Sequence, residues 1–212
     1  MRSMKKLRGR PDSDALPLHR ERLLQAASDE FKAHGYKGAS LDAIAAKAGV
    51  SKVTIYRRFG SKAGLFESIA LRSVEMLRRE FREVKTQGRH PREVLLDFAL
   101  ANYDGATNPE TVAVVQLAVA EIRQFPAVAK TLWDHRFETL APLRGYLEHL
   151  SAVGIIDIED AETATMQFSG MISGGIGSVM DKPLRTAAAR RRWAGAAVNL
   201  FLNGCLRPGA TS

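Results

Sequence analysis

The chain has 212 residues, 45% of them hydrophobic, enough for a large domain or a small domain joined to a larger one; a single cysteine, Cys205, excludes an intramolecular disulfide framework and a multi-cysteine zinc site. No run approaches the ~18 consecutive apolar residues of a membrane span, and the basic N-terminus lacks the apolar stretch of a secretory signal, so the expected location is the cytoplasm. The net charge of +8 is confined, because residues 1–62 hold 14 Lys and Arg against 6 Asp and Glu while the rest of the chain is balanced.

A localised positive excess points to an anionic partner, with nucleic acid and an anionic membrane surface as the two candidates. Residues 1–17 carry five cations (Arg2, Lys5, Lys6, Arg8 and Arg10) and two prolines, which predicts a flexible arm. Within it Arg8-Gly9-Arg10-Pro11 is similar to the core of an AT-hook, whose flat Arg-Gly-Arg lies along a narrow A·T minor groove. A solubilising tail accounts for the same residues equally well. From His19 the pattern turns helical, with Leu23, Leu24, Ala27 and Phe31 on one face, and Gly35 is expected to end it as a left-handed C-cap. Ser40 offers an N-cap for a second helix with Asp42 in its first turn, and Gly49 ends that helix. Ser51 then caps a third helix. Ile55 and Phe59 share its inner face, which leaves Lys52, Val53, Thr54, Tyr56 and Arg57 pointing elsewhere. A helix over 51–58 is about 12 Å long, matching a major groove about 12 Å wide. Two short helices joined at a glycine, the second polar outside, make a helix-turn-helix; a purely structural helical hairpin is the plainer alternative.

Beyond Lys62 there is almost no strand signal. Helices are predicted over 63–85, 92–104 and 110–124, then from Pro126 to about Val153 with a kink at Pro142, and over 160–180 and 186–204. The expectation is an all-α protein of about nine helices: a basic arm (1–17), a helix-turn-helix headpiece (18–64), a helical body (65–206) and a loose tail (207–212).

The run GYKGASLDAIAAKAGVSKVTIYRRFGSKAGLF closely resembles the DNA-binding domain of the TetR family of transcriptional regulators, a match covering about residues 19–67. The remainder agrees in helix number, length and order, and VQLAVAEIRQFPAVAKTLWDHRFETL is similar to one branch of the family's C-terminal domains. The resemblance implies that Ser40, Tyr56 and Lys62 contact phosphates, that Thr54 and Arg58 also meet the DNA backbone, and that Lys52, Val53 and Arg57 read bases. Lys and Arg suit guanine O6 and N7. Val53 departs from the Gly, Pro or Ala of many members, so an operator sequence cannot be transferred.

The resemblance also implies a ligand-binding and dimerisation body, a small-molecule effector, and a repressor released from a pseudo-palindromic operator when that effector binds. A DNA-binding or anionic-surface-binding helical protein without a ligand switch is the alternative. Bulky or polar residues on apolar faces are the pocket candidates: Phe98, Tyr103, Gln116 and Trp133, with Phe137, Met166 and Gln167 further along the chain. Gly170, Gly174 and Gly177 fall at i, i+4 and i+7, a small-residue face against which a partner backbone can approach; closure of such stripes onto the chain's own core, or a break of the helix at the glycines, is the plainer alternative. Trp193, Ala197, Leu200 and Phe201 form an apolar stripe on the last helix, completing the predicted homodimer surface. In the family the last two helices of each subunit form a four-helix bundle. His135 and His149 stand singly, without metal-ligand spacing, and no nucleophile motif or phosphate loop is present, so neither a metal, a cofactor nor an enzymatic activity is expected.

Overall fold

Side-chain caps and prolines set the helix boundaries. The computed structural model describes residues 15–121, 123, 126–174, 184 and 186–205. The hydroxyl of Ser40 accepts the N–H of Ala43 at 3.4 Å and that of Ser51 accepts the N–H of Thr54 at 3.1 Å, opening α2 (Leu41–Ala48) and α3 (Lys52–Phe59) after α1 (Ala15–Gly38). Ser61 does the same for Gly64 at 3.0 Å at the start of α4 (Lys62–Glu83). Pro91 and Pro109 occupy first-turn positions, where a missing N–H costs nothing, and begin α5 (Pro91–Thr107) and α6 (Pro109–Ala120). Then come α7 (Pro126–Ala152), α8 (Ala161–Ser173) and α9 (Ala187–Cys205). Asp160 caps α8 by accepting the N–H of Thr163 at 2.6 Å. These nine helices carry the fold of the described residues, which is all-α.

The chain divides into two compact units, Met1–Ile69 and Ala70–Ser212. In the first, Leu23, Leu24, Ile44, Ile55 and Leu65 are fully buried. Three rings close its base: Phe31 stacks on Tyr36 at 5.6 Å, and Phe66 meets both edge-on at 5.6 and 5.9 Å. In the second unit α5 packs against α8 and α9, and α7 against α8. Its core runs through Phe81, Phe98 and Tyr146, whose ring centroids lie 5.8 and 6.0 Å apart in sequence.

Two expectations change, those at Gly35 and at the end of the helix over 160–180. Gly35 has the positive φ anticipated (67°), but its ψ of 177° is extended rather than left-handed helical, and one more turn follows it before Ser40. This backbone region is open essentially to glycine alone. As expected, α7 is a single helix that contains Pro142. The helix expected over 160–180 stops at Ser173, because Gly174 adopts a left-handed C-cap conformation (φ 69°, ψ 15°). Gly174 therefore does not continue the helical face begun at Gly170, and the i, i+4, i+7 stripe fails at its second member. Arg8, Arg10 and Gly177 lie outside the described residues.

Candidate nucleic-acid interface

α3 is held by one fully buried residue, Ile55, under which Ile44 and Ala45 of α2 are also buried, while Phe59 is half-buried. Everything else on the helix is available to present chemistry. Val53 is 74% exposed and Tyr56 48% exposed. Lys52, Arg57 and Arg58 are exposed as well. Thr54 is half-buried, sharing a 2.9 Å hydroxyl–hydroxyl bond with the Ser51 cap.

The cations differ in what already holds them. Lys52 pairs with Asp42 across the turn at 2.8 Å, and that hydrogen bond raises its pKa. The ammonium of Lys62, half-buried at the start of α4, donates to the carbonyls of Ala39 at 2.6 Å and Lys37 at 3.2 Å, and lies 5.0 Å from the ring centroid of Tyr36. Lys62 thus fastens the end of α1 to α4, with one of its three N–H donors left for another partner. Ser40, beside this junction, also receives support: its N–H donates to Glu30 at 3.0 Å. The sequence contained the cations but no signal for this clamp, which joins residues 23 and 25 positions apart.

Within the second unit lies a cavity of about 480 Å³ bounded by α4, α5, α6, α7 and α8. Its apolar wall includes Val74, Leu77, Val112, Val115 and Leu140. Arg136 supplies a cation, and Asn102, Thr139 and Ser169 supply polar groups. Among the residues whose side chains are described, none of those expected to form a pocket borders it. Phe98 is in the core, and the hydroxyl of Tyr103 accepts the N–H of Leu184 at 2.8 Å. Gln116 and Gln167 are exposed, while Phe137 and Met166 are half-buried. Trp133 stands in α7, its side chain outside what is described. Phe98 and Tyr103 thus follow the plainer reading of bulky residues on apolar faces, that of packed core. Asn102, four residues after Phe98 on a buried face, was the legible signal, and Arg136 had none.

Of the residues expected at a dimer surface, Gly170 borders this cavity. Ala197 and Phe201 close onto the chain's own core. Trp193 and Leu200 are 44% and 69% exposed, together with Met171 at 37%. The Trp193 indole N–H donates to the carbonyl of Ile172 at 2.8 Å, fixing the exposed ring beside the end of α8.

A capped helix-turn-helix with a solvent-facing second helix, followed by a separate helical unit enclosing a cavity, is the build of a DNA-binding transcriptional regulator. The family model for bacterial regulatory proteins of the tetR family matches residues 23–69, and that for the C-terminal domain of AefR-like transcriptional repressors matches residues 93–204. The chain belongs to the tetR family, whose regulators bind operator DNA and act as dimers.

Among characterised relatives, the HTH-type transcriptional activator FasR of Mycolicibacterium smegmatis is 45% identical over 58 residues, 27% of this chain and 26% of that protein. The HTH-type transcriptional repressor SCO4008 of Streptomyces coelicolor is 46% identical over 48 residues, 23% of this chain and 25% of its own. The match thus spans about a quarter of the length of these relatives. Among solved structures, a tetR-family regulator from Mesorhizobium loti MAFF303099 has a TM-score of 0.77 at 24% identity, covering 90% of this chain and 98% of that one. The flavonoid-responsive regulator FrrA has a TM-score of 0.73 at 28% identity, covering 91% of this chain and all of its own.

Proposed function

We propose that this regulator is a homodimeric repressor that reads a pseudo-palindromic operator with α3 and leaves it when a small molecule enters the cavity of the second unit. The observation that carries the reading is α3 itself: one buried anchor, Ile55, and an outer face where Val53 and Arg57 stand four residues apart. In a major groove Arg57 would donate to a guanine edge and Val53 would pack on a thymine methyl. Lys52, already held by Asp42, would reach bases only from that fixed position. Ser40, Thr54, Tyr56, Arg58 and the spare donor of Lys62 would meet phosphates, setting register rather than sequence. Arg8 and Arg10 would follow the adjacent minor groove. Trp193, Leu200 and Met171, all exposed in the single chain, would be covered by the partner subunit. A two-fold dimer would set its two α3 helices about 34 Å apart, in successive major grooves. FrrA, described as flavonoid-responsive, supports a ligand-responsive second unit here.

Selection from a random duplex pool tests this directly. The expected product is an inverted repeat whose half-site centres are about one helical turn or a small multiple apart. Recovery of duplexes with no shared motif, or of one asymmetric half-site, would contradict it.

A further inference from the structure

Leu77 and Gly105 meet at the edge of the cavity, where α4 and α5 come together. Ser73, Val74 and Leu77 supply the α4 side of its wall, and Asn102 and Ala106 supply the α5 side. Gly105, between those two α5 residues, is buried but does not itself border the space. It is not among the positive-φ glycines, so its backbone asks for nothing that glycine alone can supply. Alanine would suit such a helical position better. The reason for glycine is steric. A Cβ at position 105 would overlap the Cδ1 of Leu77 and lie 3.2 Å from its Cγ, so Leu77 sits in the space that a side chain would need. At Gly145, Gly170, Gly195 and Gly204, in the same unit, a Cβ would meet no atom within 4 Å.

The overlap falls on the tip of a flexible side chain rather than on backbone, so a methyl group at 105 would turn Leu77 and leave α5 in place. Leu77 packs on the core and also borders the cavity. A close-packed core has no room for a displaced methyl, which leaves the cavity to receive it. The wall that would be narrowed is aliphatic. Val74, Val112, Val115 and Leu140 surround the space, and no aromatic ring is among the described lining residues. Two of its polar groups are already engaged within the chain: Asn102 donates to the Ser169 hydroxyl at 2.9 Å, and Thr139 donates to the carbonyl of His135 at 2.8 Å. A wall of this kind selects by fit. Its volume of about 480 Å³ lies within the ~300–1,000 Å³ typical of small-molecule sites.

We infer that Gly105, acting through Leu77, sets the size of the apolar ligand body that the cavity admits. This inference rests on the proposed ligand-binding role of the second unit and names the residue pair that limits what the unit takes. Gly105 is a positioning residue: it touches no ligand itself, and its bare Cα keeps Leu77 out of the space. Any side chain at 105 would shorten the longest apolar body accommodated, without altering the polar groups of the wall.

The test is calorimetric titration of the full chain with 1-alkanols of four to ten carbons and with the matching alkanoates, so that the head group does not decide the result. In the wild type, affinity should rise about fourfold per methylene until the cavity is full. Gly105→Ala should end that rise at least one methylene earlier and leave the shorter chains unaffected. Leu77→Ala should extend it. The Gly105→Ala/Leu77→Ala protein should regain at least the wild-type limit, because the new Cβ then has no side chain to displace. A purely structural glycine would instead lower every affinity by one factor and leave the limit in place. An unchanged limit in Gly105→Ala, a limit still short in the double variant, or no chain binding below about 1 mM would each overturn the inference. Should Gly105→Ala fail to fold, Leu77→Ala decides, and a limit no longer than that of the wild type counts against it. Operator affinity measured with the same probes separates the two readings. Chains that release DNA with one limit in all variants would sink the role of Gly105 and leave the ligand switch standing. Limits that shift as expected without any change in operator affinity would do the reverse.

Discussion

The two units of this chain use polar residues in opposite directions. In Met1–Ile69 the interior is apolar and aromatic, closed by Phe31, Tyr36 and Phe66, and the reactive surface faces outward on α3. In Ala70–Ser212 the outer helices are laced with ordinary ion pairs, and Asn102, Thr139 and Arg136 border a cavity. The first unit must meet a rigid, highly charged polymer, so it needs little more than a well-supported helix with an open face. The second holds a space to be filled, so its core is incomplete by construction. Two kinds of fragility follow: the first unit should fail when its supports fail, the second when its cavity is altered.

The largest effect should come from Gly64. A Cβ built there lies 2.1 Å from the carbonyl oxygen of Phe59, so the turn between α3 and α4 admits no side chain without moving backbone. Gly64→Val is expected to cost about 3 kcal/mol and to take operator binding below detection, with the Trp193 environment of the second unit unchanged by fluorescence. Retained operator affinity would mean that α3 does not depend on this junction.

Lys62 should come next. Its two carbonyl bonds are charge-assisted but half exposed, so Lys62→Ala should lose about 1–2 kcal/mol of stability. If the remaining donor also meets a phosphate, the slope of log affinity against log salt should fall by about one. A lowered melting temperature with an unchanged slope would make Lys62 a clamp alone, and a changed slope without lost stability would make it a phosphate contact alone. Smaller still is the cap of α3: Ser51→Ala should cost about 1 kcal/mol, read by chemical denaturation, and should weaken binding to all duplexes alike. A selective loss on one sequence would place Ser51 nearer the bases than its capping bond suggests.

The same division explains what the sequence disclosed. Caps and turns act over three or four residues, so Ser40, Gly49, Ser51 and Pro126 announced their helices directly. The solvent face of α3 was legible because Ile55 and Phe59, four residues apart, had to share the inner face. Contacts between residues distant in sequence left no such trace. The Lys62 clamp depends on where the carbonyls of α1's last turn come to rest. The cavity depends on which apolar residues fail to meet, and size favoured Phe98 and Tyr103 although both sit in the packed core. Gly174 misled for a related reason: helical spacing placed it on one face with Gly170, whereas its freedom to take φ 69° made it the end of α8.

The central claim is that the outer face of α3 carries sequence recognition, and parallel random-pool selections with the wild type and Arg57→Ala test it most directly. The account predicts the same spacing and symmetry in both, with preference relaxed at one or two base pairs per half-site and roughly 1–3 kcal/mol lost for the preferred base. An identical motif from both proteins, bound by Arg57→Ala with undiminished preference at every position, would contradict it.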